Sequence, residues 1–397
     1  MSRPALAVAL LGVAVAVSVA EGQPSTVERP SGVSVQVPVT PYTGGVGTLL
    51  VVAKGHLVRF DTTTRTAVPV PMPAGLTALR AWTQSGHDLV LGRLANGRTA
   101  AYVLGGRVPR SLGYAETVAP SADRGAVWLV VRRTATRVPL AGGALRSVTL
   151  PQGSRLVGDT PSGLVVSTGT VPDPQFPGKR TPTPSPRISP ATPTVATPSP
   201  PGLATTPPSP TSLGPTALPT TPPYTTASPV PSSGPGGVPL TTMVVSYAGT
   251  VRFLADAEAL AATGDVVLLR AADRALGVIS PRPGPRVPRW LPNLSAVQVT
   301  GPGTLDDRGT TFAVLARQND YARLMVGPTT ARTDAAIRLV ELAGGPPTPA
   351  AAPPTFTASG RVLVPRPDGR VVYFTPGERR GYYLGDDVPT ASSVSQA

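Results

Sequence analysis

SGHDLVLGRLANGRTAAYVLGG, residues 85–106, holds two short apolar strands separated by the polar turn Asn96-Gly97. Asn-Gly supplies the left-handed backbone that a tight hairpin needs, and each arm has strand length rather than helix length. The unit recurs along the chain at a spacing of roughly forty residues. Its other copies are LLVVAKGHLVRFDTTTRTAVPV (49–70), ADRGAVWLVVRRTATRVPLAGG (122–143), SGLVVSTGT (162–170) resumed by MVVSYAGTVRFL (243–254), TGDVVLLRAADRALGVI (263–279), DRGTTFAVLARQNDYARLMVG (307–327) and SGRVLVPRPDGRVVYFTPG (359–377). Asp368-Gly369, Ala248-Gly249 and Asn319-Asp320 fill the turn positions in three of them. Flanking segments such as LTALRAWTQ (76–84) and LRSVTL (145–150) add further strands. A sheet this small cannot bury both faces alone, so copies must stack face to face around an axis. The predicted fold is all-β with one such sheet per copy. Seven is the leading count, with six or eight as alternatives if the first and last copies combine. A pair of β-sandwich domains is the rival.

Composition agrees with short strands. The 51 Pro and 42 Gly of this 397-residue chain interrupt it too often for long helices, while 41% apolar residues suffice for a large core. Pro is concentrated between residues 171 and 240, among Thr and Ser and with almost no apolar periodicity. That stretch cannot bury enough surface to offset the entropy of ordering, and is predicted to be a disordered, partly polyproline-II insertion within one blade. Tracts rich in Pro and Thr also resemble O-glycosylated stalks, so modification of its Thr residues is an expectation.

Residues 1–20 carry Arg3, then an almost wholly apolar run from Pro4 to Ala20 with small residues at Ser18 and Ala20. This is the pattern of a secretory signal cleaved after Ala20, with an uncleaved membrane anchor as the alternative. Residues 21–44 read as an N-terminal extended segment, 45–388 as the repeat domain and 389–397 as a disordered tail. The absence of Cys excludes a disulfide framework and thiolate metal sites. The net charge of +14 comes from scattered arginines without a basic run, which argues against nucleic acid and suits weak attraction to anionic envelope polymers. The dominance of Arg over Lys, with abundant Ala, Gly, Pro and Val, fits a high-GC bacterial source.

Ser121-Ala-Asp-Arg-Gly125, Leu305-Asp-Asp-Arg-Gly309, Ser359-Gly360 and Pro367-Asp-Gly369 precede or join apolar strands in a manner that resembles the WD40-, YVTN- and TolB-like β-propellers. The resemblance spans most of residues 45–388 outside the insertion, although no copy ends in Trp-Asp. It implies a β-propeller, and points to an exported actinobacterial relative of those families. It carries no function across, because propellers host enzymes, scaffolds and receptors alike.

The inventory for catalysis is small. His56 and His87 both read as turn residues, and no nucleophile elbow, metalloprotease helix or phosphate loop occurs. Asp306-Asp307 and Asp386-Asp387 sit in turn contexts where Asp caps backbone amides. Trp128 reads as core. Two Arg–Trp pairs, Arg80 with Trp82 and Arg289 with Trp290, are the candidate binding residues, because guanidinium and indole together suit sugars or anionic polymers. The reading is an exported, non-enzymatic binding or scaffold module of the cell envelope, monomeric and without cofactor, with a protein or envelope polymer as partner. A carboxylate-dependent polysaccharide enzyme and a sensor or accessory subunit of an envelope complex are the alternatives.

Overall fold

The structure is a computed structural model that describes residues 32–35, 37, 42, 44–106, 108–171, 239–294, 296–319, 321–343, 353–366 and 368–397. The expected signal segment and most of the Pro/Thr/Ser insertion lie outside the described residues.

Seven antiparallel sheets follow one another along the chain. Strands within a sheet are designated a to d from the axis outward. Blade 2 is Thr77–Gln84, His87–Arg93, Thr99–Leu104 and Arg110–Tyr114. Blade 3 is Thr117–Pro120, Ala126–Val131, Thr134–Pro139 and Arg146–Thr149. Blade 4 is Ser154–Thr160, Gly163–Thr168, Thr241–Val245 and Val251–Ala255, so the insertion leaves from its b–c turn. Blade 5 comprises Glu258–Thr263, Val266–Arg270, Leu276–Ile279 and Arg289–Trp290. Blade 6 comprises Val297–Leu305, Thr311–Gln318, Tyr321–Pro328 and Arg338–Ala343. Blade 7 comprises Thr355–Phe356, Val362–Pro365, Val371–Phe374 and Gly381–Tyr383. Each recurring sequence unit is the b–c hairpin of one blade.

Alternation along the b strands explains why they read as unbroken apolar runs. In AVWLVV of blade 3, Trp128 and Val130 pack toward blade 4, whereas Val127 and Leu129 pack toward blade 2. Successive side chains point to opposite faces, and both faces are covered. Seven core clusters result, one between each pair of neighbouring blades. Each fully buried Leu, Val or Phe in them contributes roughly 1.5–3 kcal/mol relative to exposure. The molecule is a seven-bladed β-propeller, not a pair of sandwiches.

Ring closure corrects the expected C-terminal limit. Residues 389–397 do not form a disordered tail: Ser393–Gln396 is the a strand of blade 1. It pairs antiparallel with Thr48–Ala53, placing Val51 opposite Val394. Blade 1 is completed by His56–Asp61 and Thr66–Pro69. The tail is polar in sequence, but a strand at the axis needs only one well-packed apolar residue, here Val394. The N-terminal extended segment also joins the ring, since Val33–Val35 adds a fifth, parallel strand to blade 6. Tyr42 then stacks on Tyr373 of blade 7, with ring centroids 5.5 Å apart, before the chain enters blade 1.

Candidate functional site

The a strands of all seven blades surround a central cavity of about 400 Å³. Blade 2 contributes Arg80 and Trp82, alternate residues of its a strand just past a β-bulge between Ala78 and Arg80, and both line the cavity. The Arg80 guanidinium carbon lies 5.7 Å from the Trp82 ring centroid, and the indole nitrogen donates to Gln84 Oε1 at 3.4 Å. Among the described residues no carboxylate pairs with Arg80. Arg80 is exposed to solvent in the open channel, and partial desolvation by the surrounding wall holds its pKa below the ordinary arginine value. A cation in that setting is an unmatched charge.

Two other arginines line the channel. Arg155, at the start of the blade 4 a strand, donates to Glu258 Oε1 at 2.6 Å. Glu258 and Arg270 form a buried pair at 2.6 Å, and Arg270 also donates to the carbonyls of Val171 and Val299. The Val171 amide donates back to Glu258 Oε2 at 3.0 Å, so one stem of the insertion is clamped to the blade 4–5 interface. Arg124, in the a–b turn of blade 3, reaches across the ring to Asp307 in the a–b turn of blade 6. This ion pair crosses the mouth of the channel on the face of the a–b turns.

Asp159 and Asp307 are the channel's carboxylates among the described lining residues. Asp159 Oδ2 accepts from the Trp128 indole nitrogen at 2.8 Å and the Ala122 amide at 2.9 Å, and Oδ1 accepts from the Tyr247 hydroxyl at 2.7 Å. Trp128 and Tyr247 stack nearly parallel, with centroids 6.1 Å apart. Burial raises the pKa of Asp159 despite these donors, and burial followed by the hydrogen bond to Asp159 raises that of Tyr247. No spacing could have revealed this network, because Tyr247 lies beyond the insertion, 88 residues from its partner.

The two predicted Arg–Trp pairs have different fates. Arg289 and Trp290 form the exposed outer strand of blade 5, far from the axis in strand order. Arg289 donates to the carbonyls of Thr329 and Ala331 in blade 6, while Trp290 covers Gly277. The structure therefore brings Arg80 and Trp82 together in the channel and keeps Arg289 and Trp290 apart from them. The acidic pairs cap or bridge: Asp306 accepts from the amides of Thr310 and Thr311, Asp386 pairs with Arg370 at 3.0 Å, and Asp387 pairs with Arg65 at 2.5 Å. His56 is exposed and His87 half-buried, at the starts of strands rather than among channel-lining residues.

No family model matches the chain, and no curated protein matches its sequence. Solved structures resemble it in fold alone. A protein from Lactobacillus plantarum is 12% identical over 88% of this chain and 99% of its own, with a TM-score of 0.46. Puromycin hydrolase is 16% identical over 85% of this chain and 51% of its own (TM-score 0.45). TolB from Acinetobacter baumannii is 11% identical over 84% and 77%, respectively (TM-score 0.41). Likenesses this distant say nothing about activity.

The channel is thus a concave, partly apolar site with one unmatched guanidinium beside an aromatic face, and carboxylates already engaged by protein donors. Such a site can hold an anion.

Proposed function

We propose that the protein is an exported, non-catalytic binding module that takes an anionic ligand into the central channel. The observation that carries this reading is Arg80: a cation against the Trp82 ring, lacking an opposite charge among the described residues, lining a cavity of about 400 Å³. A carboxylate or phosphate there would gain a charge-assisted hydrogen bond from the guanidinium. The Arg124–Asp307 bridge supports entry from the opposite mouth. Non-catalytic action is favoured because Asp159 accepts three hydrogen bonds within the wall and Asp307 is ion-paired. Location at the cell envelope rests on the signal pattern of residues 1–20.

Titration of purified protein with small carboxylates and phosphates, followed by calorimetry and tryptophan fluorescence, tests the reading. Saturable binding is expected, weakened about tenfold or more by Arg80→Gln, the loss associated with one charged hydrogen bond. Equal binding by wild type and Arg80→Gln, or none by either, refutes it. Cell fractionation with N-terminal sequencing checks export; a mature protein starting at Glu21 outside the cytoplasm is expected.

A further inference from the structure

The ring has two faces, and their charge is arranged differently. On the face of the a–b and c–d turns, acids stand among the arginines: Arg124 pairs with Asp307, Arg137 with Asp123 and Arg282 with Asp265, while the exposed Arg286, Arg308, Arg332, Arg379 and Arg380 of blades 5 to 7 form no ion pair among the described residues. On the face of the b–c turns, blades 1 to 3 present Lys54, Arg93, Arg98, Arg132 and Arg133, all exposed. None of these five has a carboxylate partner among the described residues. Glu116 is the sole acid in the b–c turns of these blades and in the crossovers linking blades 1 to 4, and it accepts the backbone amide of Arg132 at 3.0 Å. The crossover from blade 7 into blade 1 carries Asp386 and Asp387, which are already paired with Arg370 and Arg65.

Two further features belong to this sector. Lys54 (φ 49°) and Arg132 (φ 53°) hold left-handed backbone, which costs a residue with a Cβ roughly 1–2 kcal/mol and which glycine adopts freely. A concave groove of about 790 Å³ also runs between blades 2 and 3, bounded by Arg98, Tyr114, Glu116, Val131, Arg132 and Arg133. Arg98 lies over the Tyr114 ring at 3.5 Å, which fixes its position on the groove wall. Unmatched charge, basic side chains retained at strained turns and a groove between them coincide in one place.

We propose that this groove and its rim bind a linear polyanion with recurring phosphate or carboxylate groups. A polymer fits better than a bilayer, because the cations flank a concavity that a flat surface cannot enter, and Val131 and Tyr114 are its only large exposed apolar residues. The site is separate from the channel, so each proposal can fail alone.

The test uses the full chain with three probes: polyphosphate, polygalacturonate and phosphatidylglycerol vesicles. At least one polymer should bind, with affinity falling as salt rises. The Arg98→Ala/Arg132→Ala/Arg133→Ala variant should bind at least tenfold more weakly, with the salt slope reduced by about one per arginine removed. Arg379→Ala/Arg380→Ala, in the c–d turn of blade 7, should bind as wild type. Arg132→Gly separates binding from folding, because relief of the strained turn should raise thermal stability while polymer affinity drops. The polyphosphate and polygalacturonate arms distinguish phosphate from carboxylate as the source of charge. Undiminished binding by the triple variant, an equal loss in Arg379→Ala/Arg380→Ala, or binding to vesicles without binding to either polymer overturns the proposal.

Discussion

Asp159 shows how one side chain can hold two blades together. It accepts from Trp128 and Ala122 of blade 3 and, within blade 4, from Tyr247. Its burial raises its pKa above the ordinary 3.8, so the folded chain holds the proton more tightly than the unfolded chain. Unfolding then releases a proton between the two values, and stability from this group falls as pH rises through that window. In Asp159→Asn the amide oxygen still accepts from Trp128 and Ala122, while nothing titrates. The stability of Asp159→Asn minus that of wild type should grow with pH from about the ordinary carboxylate value up to the raised one and be flat above it. Urea unfolding across a pH series measures this, and parallel curves for the two proteins would contradict it. Trp128→Phe should cost about 1–3 kcal/mol in the same assay, since it leaves the carboxylate one donor short.

Between elements, the join of blades 4 and 5 combines a buried ion pair with the root of the insertion. Glu258 and Arg270 are both almost fully buried, at 3% and 4% side-chain exposure, so removing one strands the other's charge. Glu258→Ala should destabilise by about 3–5 kcal/mol, and Glu258→Ala/Arg270→Met should recover most of that loss in denaturant titrations. The same pair clamps Val171, and Thr168 donates to the Pro239 carbonyl at 3.2 Å, so the two stems are tied to the blade independently of what lies between them. Replacing 172–238 by a short Gly/Ser turn should preserve the pairing of Thr168 with Thr241. Loop closure costs ~0.6 kcal/mol per doubling of length, so the shortened protein should be more stable by at most about 2 kcal/mol. A large loss of cooperativity in calorimetry would show that the insertion contributes to the fold.

At the scale of the whole molecule, stability depends on closure. Each blade shelters its neighbours' faces, and an unclosed ring exposes two of them along with a strand edge. Ser393–Gln396 supplies the a strand of a blade whose other strands lie at the opposite end of the chain. Truncation after Ser392 should therefore broaden thermal unfolding and open blade 1 to proteolysis. A tail without structure could be removed silently, so an unchanged melting curve would restore the earlier expectation for 389–397.

Residue pattern alone determined the all-β class, the leading count of seven and the identity of the b–c hairpins. Apolar alternation and turn chemistry are local records of which faces are buried, and AVWLVV or MVVSYAG carries that record without reference to the rest of the chain. Arg80 and Trp82 were also legible as a pair, because alternate strand residues share a face. Only the tertiary structure decided that this face lines the axis while Arg289 and Trp290 lie on the rim. It also decided that Asp159 meets Tyr247 and that the polar C-terminal residues form an innermost strand. Distance from the axis is set by strand order and by closure between residues some 340 positions apart, as in the Ser392–Val52 contact, and neither leaves a periodic trace in the sequence.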